Sequence, residues 1–349
     1  MPETNMNSIE RVLTSMDHDE PDRVPFSLAL MLHGAKLLNI SMKEYFSDAE
    51  NVVKAQIHLW KKYGHDILTG YFYGPIEFEA FGGGVIYFDD GPPNSGTPII
   101  KEYEDINQLK IPEIYESERL NEVLKATRLL VTKTNKEVPI LGVVISPFSL
   151  PVMQMGFGKY IELLYEQPKL FEDLMRKNQA FCIEWANAQI EAGAAAIAYY
   201  DPVSSPTIIP RELYLETGWK IAKHTLEKIN AATVTHFASA RTEGMIEDLI
   251  KTGTKGIGVS FHDDLKKVKE KSKGKLVVVG NLNGIDMPNW STEQAEAYVK
   301  TTISRAARGG GFILNDNHGE IPYQVPERVL MAISDAIKKW GKYPLDWID

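Results

Sequence analysis

The sequence predicts an α/β protein built as a (β/α)₈ barrel with an N-terminal extension and inserted loops. Three observations predict it. From Val138 onward, apolar runs of strand length alternate regularly with helical patterns. Those runs are continuously apolar, as in parallel strands covered by helices. Polar residues fall at the same end of nearly every run, the end at which a barrel gathers its site. A doubly wound sheet is the rival fold, but it concentrates such residues at one switch point. The 349 residues fit one barrel, since such domains run from about 200 to more than 400 residues.

Taken in order, the chain is read as one domain over 1–349 that opens with an N-terminal helical segment, 1–64. Ser8 is placed to cap a short helix over 9–16, which ends before Asp19-Glu20-Pro21-Asp22-Arg23-Val24-Pro25. Residues 47–63 set Val52, Val53, Ile57 and Trp60 at helical spacing, and residues 66–71 read as a strand. Glycine and proline punctuation from Phe81 to Pro98 is too long for a routine connection. It is read as an inserted hairpin or lid over 81–110, near a functional face. The regular part predicts strands over 139–145, 194–200, 232–236, 256–260, 276–280 and 311–314. Helices are predicted over 168–192, 210–229, 242–252, 292–307 and 326–340.

Composition excludes several function classes. Lys+Arg 38 against Asp+Glu 47 gives a net charge of −9, whereas a nucleic-acid footprint needs a basic face. A lone cysteine, Cys182, excludes internal disulfides and every multi-cysteine metal site. Lying among Phe181, Ile183 and Trp185, it reads as a buried apolar residue. Met1 to Arg11 carries no apolar leader core, and no run approaches the ~20 apolar residues of a membrane span. The expectation is a cytoplasmic enzyme with no membrane partner.

The strand ends supply the candidate residues: Asp201, His236, His262-Asp263-Asp264, Asn281 and the stretch from Asp316 to Glu320. Brought to one mouth, carboxylates, imidazoles and amides above an apolar core make a small-molecule site. Each also has a plainer role. Asp201 before Pro202 suits a turn cap, His236 a satisfied core histidine, Asn281 its own loop, and Gly319 a turn. Gly156-Phe157-Gly158 lacks the strand-to-helix context of a phosphate loop. No Gly-x-Ser-x-Gly, His-Glu-x-x-His or phosphate-loop lysine motif is present.

A family resemblance spans nearly the whole chain. Glu10-Arg11-Val12-Leu13 followed by Glu20-Pro21-Asp22-Arg23-Val24-Pro25 resembles the opening of methylcobamide-dependent methyltransferases in the uroporphyrinogen decarboxylase superfamily. The likeness continues in order through residues 142–148, 191–194, Tyr200-Asp201-Pro202, His236, Gly280-Asn281-Leu282 and residues 321–326. It implies a (β/α)₈ barrel. The decarboxylase branch needs arginines near the first strand for a polycarboxylated macrocycle, and residues 25–33 contain none. The thiol-methylating branch holds zinc with His-x-Cys and a later cysteine, but here Ala238 and Asn317-His318-Gly319-Glu320 stand instead.

The remaining branch moves a methyl group from a small methylated donor to the cobalt of a corrinoid carried on a separate protein. Its O-demethylase members act on methylated aromatics, and this chain looks closest to them. The resemblance implies His236, His318 and Glu320 as the groups that ease a leaving oxygen, directly or by holding a zinc ion, with Asp201 orienting. Tyr71, Phe148, Tyr200 and Asn281 are the expected substrate contacts, with Phe72, Tyr73, Tyr199 and Phe237 as further aromatics. Transfer in the opposite direction, a decarboxylase, a binding protein without activity, and a homodimer stay open.

Overall fold

The structure, a computed structural model, describes residues 6–348. Met1 to Asn5 and Asp349 lie outside the described residues, and with them part of the stretch Met1 to Arg11 on which no leader core is expected. The strands are β1 (Leu68–Thr69), β2 (Val85–Ile86), β3 (Asn94–Ser95), β4 (Ile140–Ile145), β5 (Ala196–Tyr200), β6 (Ala232–His236), β7 (Gly256–Gly258), β8 (Val277–Leu282) and β9 (Phe312–Asp316). Seven of them form one curled, all-parallel sheet in the order β1-β4-β5-β6-β7-β8-β9. That order never reverses, which removes the doubly wound alternative. Between the two edges lie residues 25–28. Phe26 makes a parallel bridge to Leu314 of β9, and Ser27 one to Ile67 beside β1. The remaining pair, β2 and β3, is an antiparallel hairpin.

Helices run between the strands, and their ends follow local chemistry. Ser8–Met16 is capped by Asn7 in a reciprocal box with Glu10, not by Ser8. The Ser8 hydroxyl instead donates to Asp66. Asp48 caps Ala49–Tyr63, and Gly64 ends it in the left-handed conformation. The long helix Pro168–Glu191 starts on proline at its first turn. The helix expected over 210–229 is interrupted at Thr217 into Arg211–Glu216 and Gly218–Leu226. The one expected over 242–252 opens with a 3₁₀ turn before Ile246–Ile250. A further helix, Glu118–Lys133, has an apolar stripe through Leu120, Val123, Leu124 and Leu130 that its many charges conceal. Among the described residues no helix is long and apolar enough to cross a membrane.

At the N-terminal ends of the strands, one buried carboxylate is fully paired. Asp66 is entirely buried; it accepts from Arg11 at 2.7 Å, from Arg23 at 2.7 and 2.9 Å, and from the Phe26 amide at 3.0 Å. Arg11 also forks onto Asp22 at 2.6 and 2.8 Å. The opening motif of the sequence is thus a tie that fixes the first helix and residues 25–28 against the sheet.

Candidate functional site

Strand parity decides which strand-end residues meet. Successive side chains point to opposite faces, so β4 turns Leu141, Val143 and Ile145 inward and β5 turns Ala196, Ala198 and Tyr200. Inward residues of β6 are Val234 and His236, and those of β9 are Ile313 and Asn315. Small side chains at Ser27, Ala196 and Ala198 leave this interior unfilled, and two adjoining cavities result. The upper one, about 260 Å³, lies at the C-terminal strand ends and is walled by Tyr71, Phe72, Tyr73, His318 and Glu320. Pro92 and Pro93, in the loop between β2 and β3, complete its wall. The lower one, about 330 Å³, reaches the N-terminal strand ends and the helix Ser8–Met16. Ser27, Leu141, Tyr200 and Asn315 belong to both walls and form the partition.

On the upper wall Glu320 and His318 are half-buried, and the neighbouring Asp316 is fully buried. Glu320 accepts the Leu32 amide at 3.1 Å through Oε1. Burial pushes its carboxyl up to about 8, with the neighbouring Asp316 acting the same way. Asp316 accepts the amides of His318 and Gly319 at 2.7 Å each, while its Oδ1 has no partner among the described residues. Burial raises this carboxyl too, against those two amides. The His318 ring meets the Ser239 hydroxyl. Burial lowers its pKa and Asp316 opposes the shift.

Two glycines make room for this arrangement. Gly319 sits at φ +86°, and a Cβ there would fall 1.7 Å from the Tyr200 hydroxyl. At Gly258 a Cβ would fall 2.0 Å from the His236 ring. His236 is 4% exposed, and neither ring nitrogen has a hydrogen-bond partner among the described residues. Its ring lies against Tyr200, with centroids 4.7 Å apart and planes 34° from parallel. Burial pushes its pKa down to about 4, and His318 adds to the shift.

The expected residues separate into two groups. Tyr71, Tyr200, His318 and Glu320 line the upper cavity, and His236 lies beneath it on the lower wall. Asp201 does not join them. It follows inward-facing Tyr200, so parity sends it to the helix side. There its Oδ1 accepts Ser146 at 2.5 Å and Ser149 at 2.8 Å. Burial raises its pKa and these hydroxyls oppose that. Phe148 packs edge-on against Tyr160 and Phe171 in the core. Tyr199 and Phe237 are buried outside both cavities. Asn281 donates to the Ser260 carbonyl at 2.9 Å and lines an outer pocket beside Trp290. Asp263 accepts Thr242, and Asp264 caps the helix Leu265–Ser272.

The zinc expectation also changes. His236 faces the lower cavity, His318 holds Ser239 and Glu320 holds the Leu32 amide. Among the described residues no group of three His, Cys, Asp or Glu side chains converges as a metal site. The donor set His236, His318 and Glu320 therefore does not fit zinc. Asn315 stands among the strand-end residues of the sequence without an assigned role, Pro92 and Pro93 fall in the segment read as a lid near a functional face, and Ser27 is not singled out by sequence reasoning. The signal for Asn315 is its period-two parity with apolar Ile313.

The chain resembles known proteins along nearly its whole length. Residues 7–340 match the family model described as uroporphyrinogen decarboxylase (URO-D). It is 26% identical to the methylcobamide:CoM methyltransferase MtbA of Methanosarcina acetivorans over 283 residues, 79% of this chain and 82% of that one. It is 29% identical to a uroporphyrinogen decarboxylase of Geobacter sp. strain M21 over 245 residues, 67% of this chain and 69% of that one. A solved methyltransferase from Methanosarcina mazei superposes with a TM-score of 0.85 at 20% identity, covering 96% of this chain and 99% of that one. A B12-independent methionine synthase from Shewanella shares the architecture at a TM-score of 0.56 and 12% identity, over 85% of this chain and 89% of that one.

Proposed function

The chain belongs to the uroporphyrinogen decarboxylase family, and on that premise we propose that it is a corrinoid-dependent methyltransferase taking a methyl group from an aryl methyl ether. The acceptor is the cobalt of a corrinoid on a partner protein. One observation carries the reading: Glu320, a carboxyl group held near pKa 8, stands on the wall of an aromatic cavity. A phenolate is a poor leaving group because its conjugate acid has a pKa of about 10. Protonating the ether oxygen as the bond breaks removes that obstacle.

In this reading the electron pair of reduced cobalt forms the bond to the methyl carbon. The C–O pair stays with oxygen, which takes the Glu320 proton. The products are a phenol, a methylated corrinoid and the Glu320 carboxylate, which regains a proton from solvent. Tyr71, Phe72 and Tyr73 flank the ring, Tyr200 and Asn315 form its floor, and His318 stands at the rim. Asp201 is a positioning residue that ties the tips of β4 and β5 through Ser146 and Ser149. Residues 25–28 serve as the eighth stave of a closed (β/α)₈ barrel, formed by the chain as one domain.

The name of the Methanosarcina acetivorans relative supports the corrinoid side. Transfer onto a thiol is disfavoured by Ala238, where a thiolate ligand is needed. A polycarboxylated macrocycle is disfavoured because, among the described residues, no arginine or lysine lines either cavity. The test is anaerobic incubation with a reduced corrinoid protein and guaiacol. Growth of the methyl-cobalt absorbance, lost in Glu320→Gln, is expected. No change with any methoxyarene, or full activity in Glu320→Gln, overturns the reading.

A further inference from the structure

We propose that the lower cavity is a second small-molecule site, one that takes a neutral single-ring phenol or alcohol with its hydroxyl at the partition. The chamber is about 330 Å³, and an apolar cavity of about 150 Å³ already accepts benzene. Its body is hydrocarbon, supplied by Val12, Met16, Ile67, Ile140, Val234 and Ile313. Among the described residues no Asp, Glu, Lys or Arg lines it. An ion placed there is therefore left without a counter-charge in an apolar medium, so the ligand is neutral.

The upper end of the chamber specifies the polar part of that ligand. Among the described residues, both nitrogens of His236 and Oδ1 of Asn315 lack partners. Leaving such groups unsatisfied is costly, and a hydroxyl answers them. It accepts from the imidazole N–H and donates to the Asn315 carbonyl oxygen. A purely apolar ligand leaves all three atoms unmatched, and a carboxylate offers Asn315 no donor. The floor is the helix Ser8–Met16, fixed by Arg11 to Asp22 and Asp66 and by Ser15 to Phe312. Leu13 on that floor is 54% exposed and Ala195 on the facing wall is exposed too, so the chamber meets solvent at its lower end.

The site is independent of methyl transfer and is tested without corrinoid. Crystals soaked in 4-bromophenol are expected to show bromine scattering between Val12, Ile67 and Ile140. In ¹⁵N-histidine-labelled protein, 4-bromophenol shifts the His236 ring nitrogens saturably. Ala196→Leu fills the chamber and abolishes the shift. Should that variant fold poorly, Leu13→Trp at the half-open floor weakens binding at least tenfold. Bromine only in the upper cavity beside Glu320, or no movement of the His236 resonances, overturns the proposal. Glu320→Gln leaves this binding unchanged, which separates its failure from failure of the methyl-transfer reading.

Discussion

The two ends of the sheet meet their buried carboxylates in opposite ways, although at both a buried imidazole, His65 or His236, has no partner among the described residues. At the N-terminal end Asp66 is surrounded by Arg11, Arg23, Ser8 and the Phe26 amide. At the C-terminal end the His236 nitrogens, Oδ1 of Asn315 and one oxygen of Asp316 have no partner among the described residues. Satisfied charge specifies and holds a structure, while unsatisfied polar atoms lower its stability and are tolerated where something else is gained. The difference separates a fastening from a working surface, although both ends are rich in titratable residues.

The largest effect is expected at the fastened end. Asp66→Ala leaves two arginines facing each other in a buried position and should cost about 3–5 kcal/mol, read from the urea midpoint. An unchanged midpoint would remove the contrast. Next, Glu320→Gln should lower methyl transfer about 10²–10⁴-fold while thermal stability holds or rises. A matching loss of stability would place Glu320 with the fastenings instead. Smaller is His236→Leu, which removes two unpartnered nitrogens and should stabilise the fold by about 1 kcal/mol. Destabilisation by that amount would mean that the imidazole is satisfied after all.

The pH dependence sharpens the same contrast. Glu320 ionises near 4.5 when unfolded and near 8 when folded. Between those values the unfolded chain has released this proton and the folded one has not. Its contribution to stability therefore declines as pH rises from about 4.5 to 8, and the decline should vanish in Glu320→Gln. The rate should fall tenfold per pH unit above about 8, as the donor is lost. For His236 the sign reverses. The folded ring stays neutral down to about 4, so stability is lost as pH falls from 6.5 toward 4. A ring that charges near 6.5, seen by NMR, would contradict its burial.

Much of the fold was legible because continuous apolar runs mark buried parallel strands, and β6 falls where Ala232-Thr233-Val234-Thr235-His236 places it. Residues 25–28 were harder to read, since their pairing is limited to single bridges at Phe26 and Ser27. In the site, position along the chain was legible and direction was not. Tyr200 and Asp201 are neighbours in sequence, yet the first faces the cavity and the second faces Ser146 and Ser149. The same parity separates Asn315 from Asp316. Counting back from the last apolar inward residue recovers it, whereas listing strand ends does not. The pairing of Glu320 with Leu32 depends on tertiary approach alone and leaves no local trace.

That pairing has a consequence for biosynthesis. Glu320 and the amide it accepts are 288 positions apart, and Phe26 bridges Leu314 over the same span. A nascent polypeptide leaving the ribosome can assemble β4 to β8 early, yet the acid finds its setting only once Glu320 itself has followed Leu32 out, 288 residues later. Fragments ending before Leu314 should therefore retain helical content and still be inert, because the segments around Leu32 and Glu320 must meet before the proton donor is in place.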